Sequence, residues 1–292
     1  MKPIQKLSFA SLARAARAAL QWRLLLLWVA AMLIPTAMLG LTMWNLLSAN
    51  LDYSVHSADI ARQMDLTVLT DLLSAHGKNS MAVNNAGVLA LITTLLLAPL
   101  MSGMAATAAR ASEVLGFRAL LAGGGAEYPR MLRMMVWSLI PLGLAVALGG
   151  MAMDGAEDYT RKAILEADAD LVSKLALFVT ALLVALAHAT LDAGRAEMAI
   201  ERRRTSAVKA WWAGFKLLKR RPLFGFGSYL LISGAGLGLT AVLVVARINV
   251  AGSNLAGFIA ALLLVQLSVV VIGWMRTARL FAMVDLARCE RG

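Results

Sequence analysis

Apolar residues fall into six long blocks, at 24–47, 85–108, 134–153, 171–191, 223–246 and 255–275. Each is long enough to form a helix that crosses a hydrocarbon layer of about 30 Å at about 1.5 Å per residue. The segments between them alternate in character. Residues 1–23 are basic and amphipathic, with Lys2, Lys6, Arg14, Arg17 and Arg23 set among Phe9, Leu12 and Leu20. Residues 48–84 are polar, and Val55, Ile60, Met64, Leu66, Leu69, Leu72 and Leu73 recur within them at roughly helical spacing. That pattern predicts one or two amphipathic helices on the outer surface. Residues 109–133 and 192–222 are basic, the stretch after 153 is acidic, and the tail from 276 is basic again.

The bulk composition agrees with a membrane chain. It is 60% hydrophobic and 15% charged over 292 residues, against about 25% charged in a soluble domain. The four segments 1–23, 109–133, 192–222 and 276–292 hold 22 of the 28 Lys and Arg. Basic residues concentrate on the cytoplasmic side of membrane proteins. The expectation is a single integral membrane domain over 1–292 in a bacterial inner membrane, with N- and C-termini cytoplasmic. No small-residue cleavage site follows the first apolar block, so 24–47 is read as a retained span. The net charge of +11 is read as cytoplasmic loops, and no nucleic-acid partner is expected. The single Cys289 excludes an internal disulfide.

Three stretches share one plan. Basic, aromatic-containing segments starting at Ser8, Ser112 and Thr205 each run into an odd-numbered span. The even-numbered spans leave through TAAR at 107–110, LDAGR at 191–195 and RTAR at 276–279. The fold class expected is therefore all-α: a polytopic membrane protein of six transmembrane helices. They are arranged as three pseudo-repeated hairpins with cytoplasmic interfacial amphipathic helices, in units of about 8–110, 112–195 and 205–279. Repeats of this kind can surround a central site. Gly123–Gly125 is read as a hinge between an interfacial helix and a span. Gly234, Gly236 and Gly238 are read as small residues that let helices approach.

The candidate chemistry is sparse. Helical spacing puts His188, Asp192 and Arg195 on one face of the fourth span, and Arg276 and Arg279 reach the same depth on the sixth. These five form either a proton or anion site or a structural ion pair between Asp192 and one of the two arginines. Segment 208–221 interleaves Trp211, Trp212 and Phe215 with Lys209, Lys216, Lys219, Arg220 and Arg221. Aromatic and basic residues together suit the headgroup layer, so anionic headgroups of the cytoplasmic leaflet are the expected partner, with a protein partner or homo-oligomer as a further option. His56 and His76 match no compact ligand motif, and no catalytic signature is present, so no metal, cofactor or catalytic residue is assigned.

The exit Asp192, Arg195, Glu197, of the form D-A-x-R-x-E, followed by a basic amphipathic helix and a K-R-R-P entry at 219–222, resembles the membrane domain of glycerophosphoryl diester phosphodiesterases. It also resembles related bacterial multi-pass integral membrane families. The resemblance implies a link to lipid or envelope metabolism. No segment is long and polar enough for the soluble catalytic barrel often fused to that domain. The leading expectation is a non-enzymatic scaffold or accessory component in lipid or envelope processes. A small-solute or lipid transporter is the alternative, and an integral-membrane enzyme comes third. A scaffold predicts a closed bundle, whereas a transporter predicts a polar cavity.

Overall fold

A computed structural model describes residues 9–51, 77–162, 165–250 and 255–291. The described residues form helices joined by short turns. In order they are α1 (Phe9–Ala18), α2 (Trp22–Leu51), α3 (Gly77–Arg110), α4 (Phe117–Thr160), α5 (Glu166–Ile200), α6 (Ala207–Arg220), α7 (Pro222–Ile248) and α8 (Leu255–Cys289). Six of these, α2, α3, α4, α5, α7 and α8, are long and apolar enough to cross a membrane. The expected surface helices within 48–84 fall largely on 52–76, outside the described residues, as do His56 and His76.

Burial is unevenly spread along the bundle. In the apolar window of α5 only 6% of residues are buried, and in that of α8 only 11%. Leu177 of α5 and Leu263 of α8 point outward there, as do Leu139 of α4 and Val242 of α7, as residues bathed in lipid tails can. The core lies instead where α3, α5 and α8 end. It gathers Met101, Met104, Leu191, Met198, Met283 and Leu286 with many alanines, all nearly inaccessible. The helices are long enough for this. At about 1.5 Å per residue, the 44 residues of α4 and the 35 of α8 overshoot a bilayer core by many ångströms.

Two boundaries therefore differ from the sequence reading. The basic segment expected from 192 begins inside α5, which continues to Ile200 and buries nearly every residue from Leu191 to Ala199. The tail expected from 276 is the last part of α8, and Leu280, Phe281, Met283, Val284 and Leu286 are core. The charges there lowered the hydropathy, but Ala, Met and Leu between them keep an apolar face at helical spacing.

Close helix approach is built on glycine at two crossings. A Cβ on Gly103 of α3 would lie 2.8 Å from the Gly124 carbonyl oxygen of α4. A Cβ on Gly214 of α6 would lie 2.4 Å from the backbone nitrogen of Gly194 in α5. Small residues let backbones meet this way. Gly123–Gly125 is thus no break between helices. It sits inside the continuous α4, with Gly123 and Gly124 against α3 and Gly125 in open space. Of Gly234, Gly236 and Gly238 in α7, Gly236 alone meets a neighbour, Met275, whereas the other two face open space.

Two short helices complete the packing. The α1 helix rests on α8, where Trp274 Nε1 donates to the Ala16 carbonyl at 2.9 Å. The α6 helix starts at the N-cap Ser206, whose Oγ accepts from Lys209 N. It buries Ala207, Ala210, Gly214 and Leu217. Trp211 Nε1 donates to Thr190 Oγ1 of α5 at 2.9 Å.

Candidate functional site

Three buried carboxylates lie at this end of the bundle, and each is held between two arginines. Glu127 of α4 meets Arg110 of α3 at 2.8 Å and Arg130 one turn along its own helix. Arg130 also donates through Nη2 to the carbonyls of Met198 at 2.7 Å and Glu201 at 2.8 Å. Arg110 donates to the Ala199 carbonyl at 3.2 Å. The last carbonyls of a helix have no intrahelical partner, so the two guanidinium groups cap the end of α5. Glu197 of α5 meets Arg204 at 3.4 Å and Arg291 just beyond α8. Both networks are closed, with no buried polar side-chain atom of Glu127, Arg130 or Glu197 left without a hydrogen bond.

Asp192 is the third carboxylate, and its surroundings are different. Arg195 Nη1 donates to its Oδ1 at 2.6 Å. Arg279 Nε approaches Oδ2 to 3.3 Å, and His188 Nδ1 stands 3.7 Å from the same oxygen. Neither approach has hydrogen-bond geometry, because Asp192 Oδ2, Arg279 Nε and His188 Nδ1 are buried with no hydrogen-bond partner. Arg279 is fixed from α7, where Ser233 Oγ accepts from its Nη1 at 3.1 Å and its guanidinium lies 4.8 Å from the Tyr229 ring centre.

These groups open on a cavity of about 260 Å³ enclosed by α2, α3, α4, α5 and α8. Its polar side is His188, Asp192, Arg195, Arg276 and Arg279, with Ser102 from α3. Its apolar lining includes Trp28, Leu95, Ala98, Met135 and Leu142. All five residues that the sequence singles out for the polar site meet at this one cavity. The pairing alternative resolves to Arg279. Arg276 makes no ion pair with a carboxylate among the described residues, and its guanidinium lies 5.8 Å from the Trp28 ring centre. Three guanidinium groups thus face one carboxylate, an excess of positive charge inside a largely apolar enclosure. A full complement would require an anion.

The seven residues expected at the membrane surface divide into two sets. Lys209, Trp212, Lys216, Lys219, Arg220 and Arg221 are exposed, with Lys216 Nζ 5.7 Å from the Trp212 ring centre. Trp211 is half-buried between Thr190 and Trp137, and serves the α5–α6 contact. Sequence reasoning missed Trp28, Ser102, Tyr229 and Ser233 around the cavity, and Glu127 in its separate network. A lone acid between Arg118 and Arg130 was the available signal for Glu127. Among the described residues no cluster of three or more His, Cys, Asp or Glu could hold a metal. Comparison of the chain with protein-family models, with curated proteins and with solved structures gives no match.

Proposed function

We propose that this protein binds an anionic ligand in the cavity beneath Arg195, Arg276 and Arg279, as a small transporter or lipid-handling permease of a bacterial cytoplasmic membrane. The carrying observation is the charge excess of that cavity, where three arginines face Asp192 alone. Ionisable groups at membrane depth are costly, and an unpaired one marks a ligand path more often than a packing contact. A scaffold would not need Arg276, which has no carboxylate partner among the described residues, in that cavity. The link to lipid and envelope processes rests on the resemblance carried by Asp192, Arg195 and Glu197.

The rest of the proposal concerns layout. Both termini lie in the cytoplasm, because the basic segments 1–23, 109–133, 192–222 and 276–292 share one side. The hairpins α2–α3, α4–α5 and α7–α8 are pseudo-repeats whose returning helices carry the small-residue and arginine exits to one core. The exposed face of α6, from Lys209 to Arg220, meets the inner leaflet together with the following Arg221. There each basic residue adds about 1 kcal/mol of attraction to anionic lipid.

The test is anion-dependent stability of the full chain in a non-ionic detergent. A ligand present at 100 times its Kd adds about 2.7 kcal/mol, so an organic phosphate should raise Tm in a saturable way. Arg276→Gln should abolish that rise. A rise of equal size with chloride, or an unchanged response in Arg276→Gln, refutes the anion site.

A further inference from the structure

The arginine cavity has a neighbour on the membrane side. A groove of about 350 Å³ runs between α2 and α3 and is lined by Met32, Pro35, Thr36 and Leu39 with residues of α3 from Gly87 to Thr94. Its register continues that of the cavity on both helices. On α2 the cavity residue Trp28 lies one turn before Met32, and on α3 the cavity residues Leu95 and Ala98 lie one turn after the groove residues Leu91 and Thr94. From Trp28 to Leu39 the track is about 16 Å long at 1.5 Å per residue. It carries no charged side chain. A cationic, anion-binding chamber thus adjoins an uncharged groove that runs along α2 and α3.

We propose that the occupant is a single phospholipid with a small phosphate headgroup, its head among Arg195, Arg276 and Arg279 and one acyl chain along the α2–α3 groove. This deepens the anion-binding reading and rests on it. Arginine presents a planar fork that matches phosphate oxygens, and the unpaired Arg276 is free to do so. The headgroup is small because about 260 Å³ lies below the roughly 300–1,000 Å³ of sites for drug-sized ligands. The apolar part of the lining, including Leu95 and Leu142, disfavours a second charged or sugar-bearing head. A soluble phosphate would need the arginines but not the groove. A lipid uses both, and its tail never leaves an apolar environment as the head enters.

Native mass spectrometry of the full chain in a non-ionic detergent tests the inference with three probes: a long-chain phosphatidic acid, dihexanoyl phosphatidic acid and a long-chain phosphatidylcholine. Gly87→Phe is the groove variant, since a Cβ there meets nothing within 4 Å and the ring can enter the groove without moving the helix. Long-chain phosphatidic acid should bind about tenfold or more tightly than the dihexanoyl form. Gly87→Phe should remove that preference while leaving dihexanoyl binding as in the parent chain. Arg276→Gln should weaken both phosphatidic acids by about tenfold or more, the usual loss for one charge-assisted hydrogen bond. Equal binding of the two chain lengths, unaffected by Gly87→Phe, overturns the lipid but keeps the anion site. Phosphatidylcholine bound as tightly as phosphatidic acid, with no effect of Arg276→Gln, overturns both.

Discussion

Arg279 Nε of α8 lies 3.3 Å from Asp192 Oδ2 of α5, and both side chains are almost inaccessible. The contact joins α5 and α8 at the cavity that also holds Arg276. Removing one partner leaves a buried charge uncompensated, at a cost of about 3–5 kcal/mol, whereas removing both costs much less. Asp192→Ala should therefore lower thermal stability in detergent, and Asp192→Ala with Arg279→Leu should recover part of the loss. Asp192→Ala with Arg276→Leu should recover nothing, because Arg276 rests on Trp28. A double-mutant cycle with coupling to Arg276 in place of Arg279 contradicts the pairing.

Glu127 offers a second measurement, and here the closed network sets the expectation. Glu127→Gln keeps the volume but leaves Arg110 and Arg130 without their shared carboxylate. Arg130→Ala removes in addition the donors to the Met198 and Glu201 carbonyls. Both variants should lose stability, Arg130→Ala more than Glu127→Gln, by several kcal/mol for a buried pair. Anion binding in the cavity should survive in whatever fraction remains folded, since neither residue lines it. Loss of binding in a stable Glu127→Gln protein would place this network in the site.

The α5–α6 crossing gives a steric prediction. A Cβ at Gly214 would stand 2.6 Å from the Ala193 carbonyl carbon and 2.4 Å from Gly194 N, and backbone cannot give way as a flexible side chain can. Gly214→Ala should detach or displace α6 despite its gain of about 1 kcal/mol in helix propensity. The Trp211 bond to Thr190 would break with it, so Trp fluorescence should shift to the red. Gly234→Ala, in open space on α7, is the control and should be silent. An unshifted Gly214→Ala spectrum with full stability would disprove the close crossing.

Much of this architecture was legible in the chain, and what was not has identifiable causes. Six apolar blocks of sufficient length announced six long helices, because length and hydropathy are all that such a helix requires. The face holding His188, Asp192 and Arg195 followed from the 3.6-residue period. The choice between Arg276 and Arg279 did not. The two sit three residues apart on nearly one face, and only Trp28 from α2 and Ser233 from α7 separate their fates. The ends of α5 and α8 were misread because arginine, aspartate and glutamate mask an apolar face that serves protein packing. Gly123–Gly125 could signal either a hinge or a close crossing, and the difference lies in Gly103 of another helix. Glu127 was hidden because Arg130, one turn along α4, makes an ordinary local pair, and Arg110 joins it only when α3 and α4 pack.

The last prediction concerns which side the arginines face. If the basic segments are cytoplasmic, the core where α3, α5 and α8 end is cytoplasmic too, and the cavity is reached from the inner leaflet. Cys289 is the one native thiol, so Cys289→Ser gives a clean background. Gly155 near the end of α4 is exposed, with open space at its Cβ, and Arg202 beyond α5 is exposed as well. In intact cells a membrane-impermeant maleimide should label Gly155→Cys and spare Arg202→Cys until the membrane is opened. The charge bias behind this can be weakened directly. Neutralising Lys216, Lys219, Arg220 and Arg221 together removes the basic cluster that precedes α7, and some chains should then insert α7 and α8 in the opposite sense. In those chains the end of α8 would face outward, Arg279 could not meet Asp192, and the Tm should fall as for Arg279→Leu. Labelling of Arg202→Cys from outside in the parent background would invert the topology and move the phosphate site to the outer leaflet.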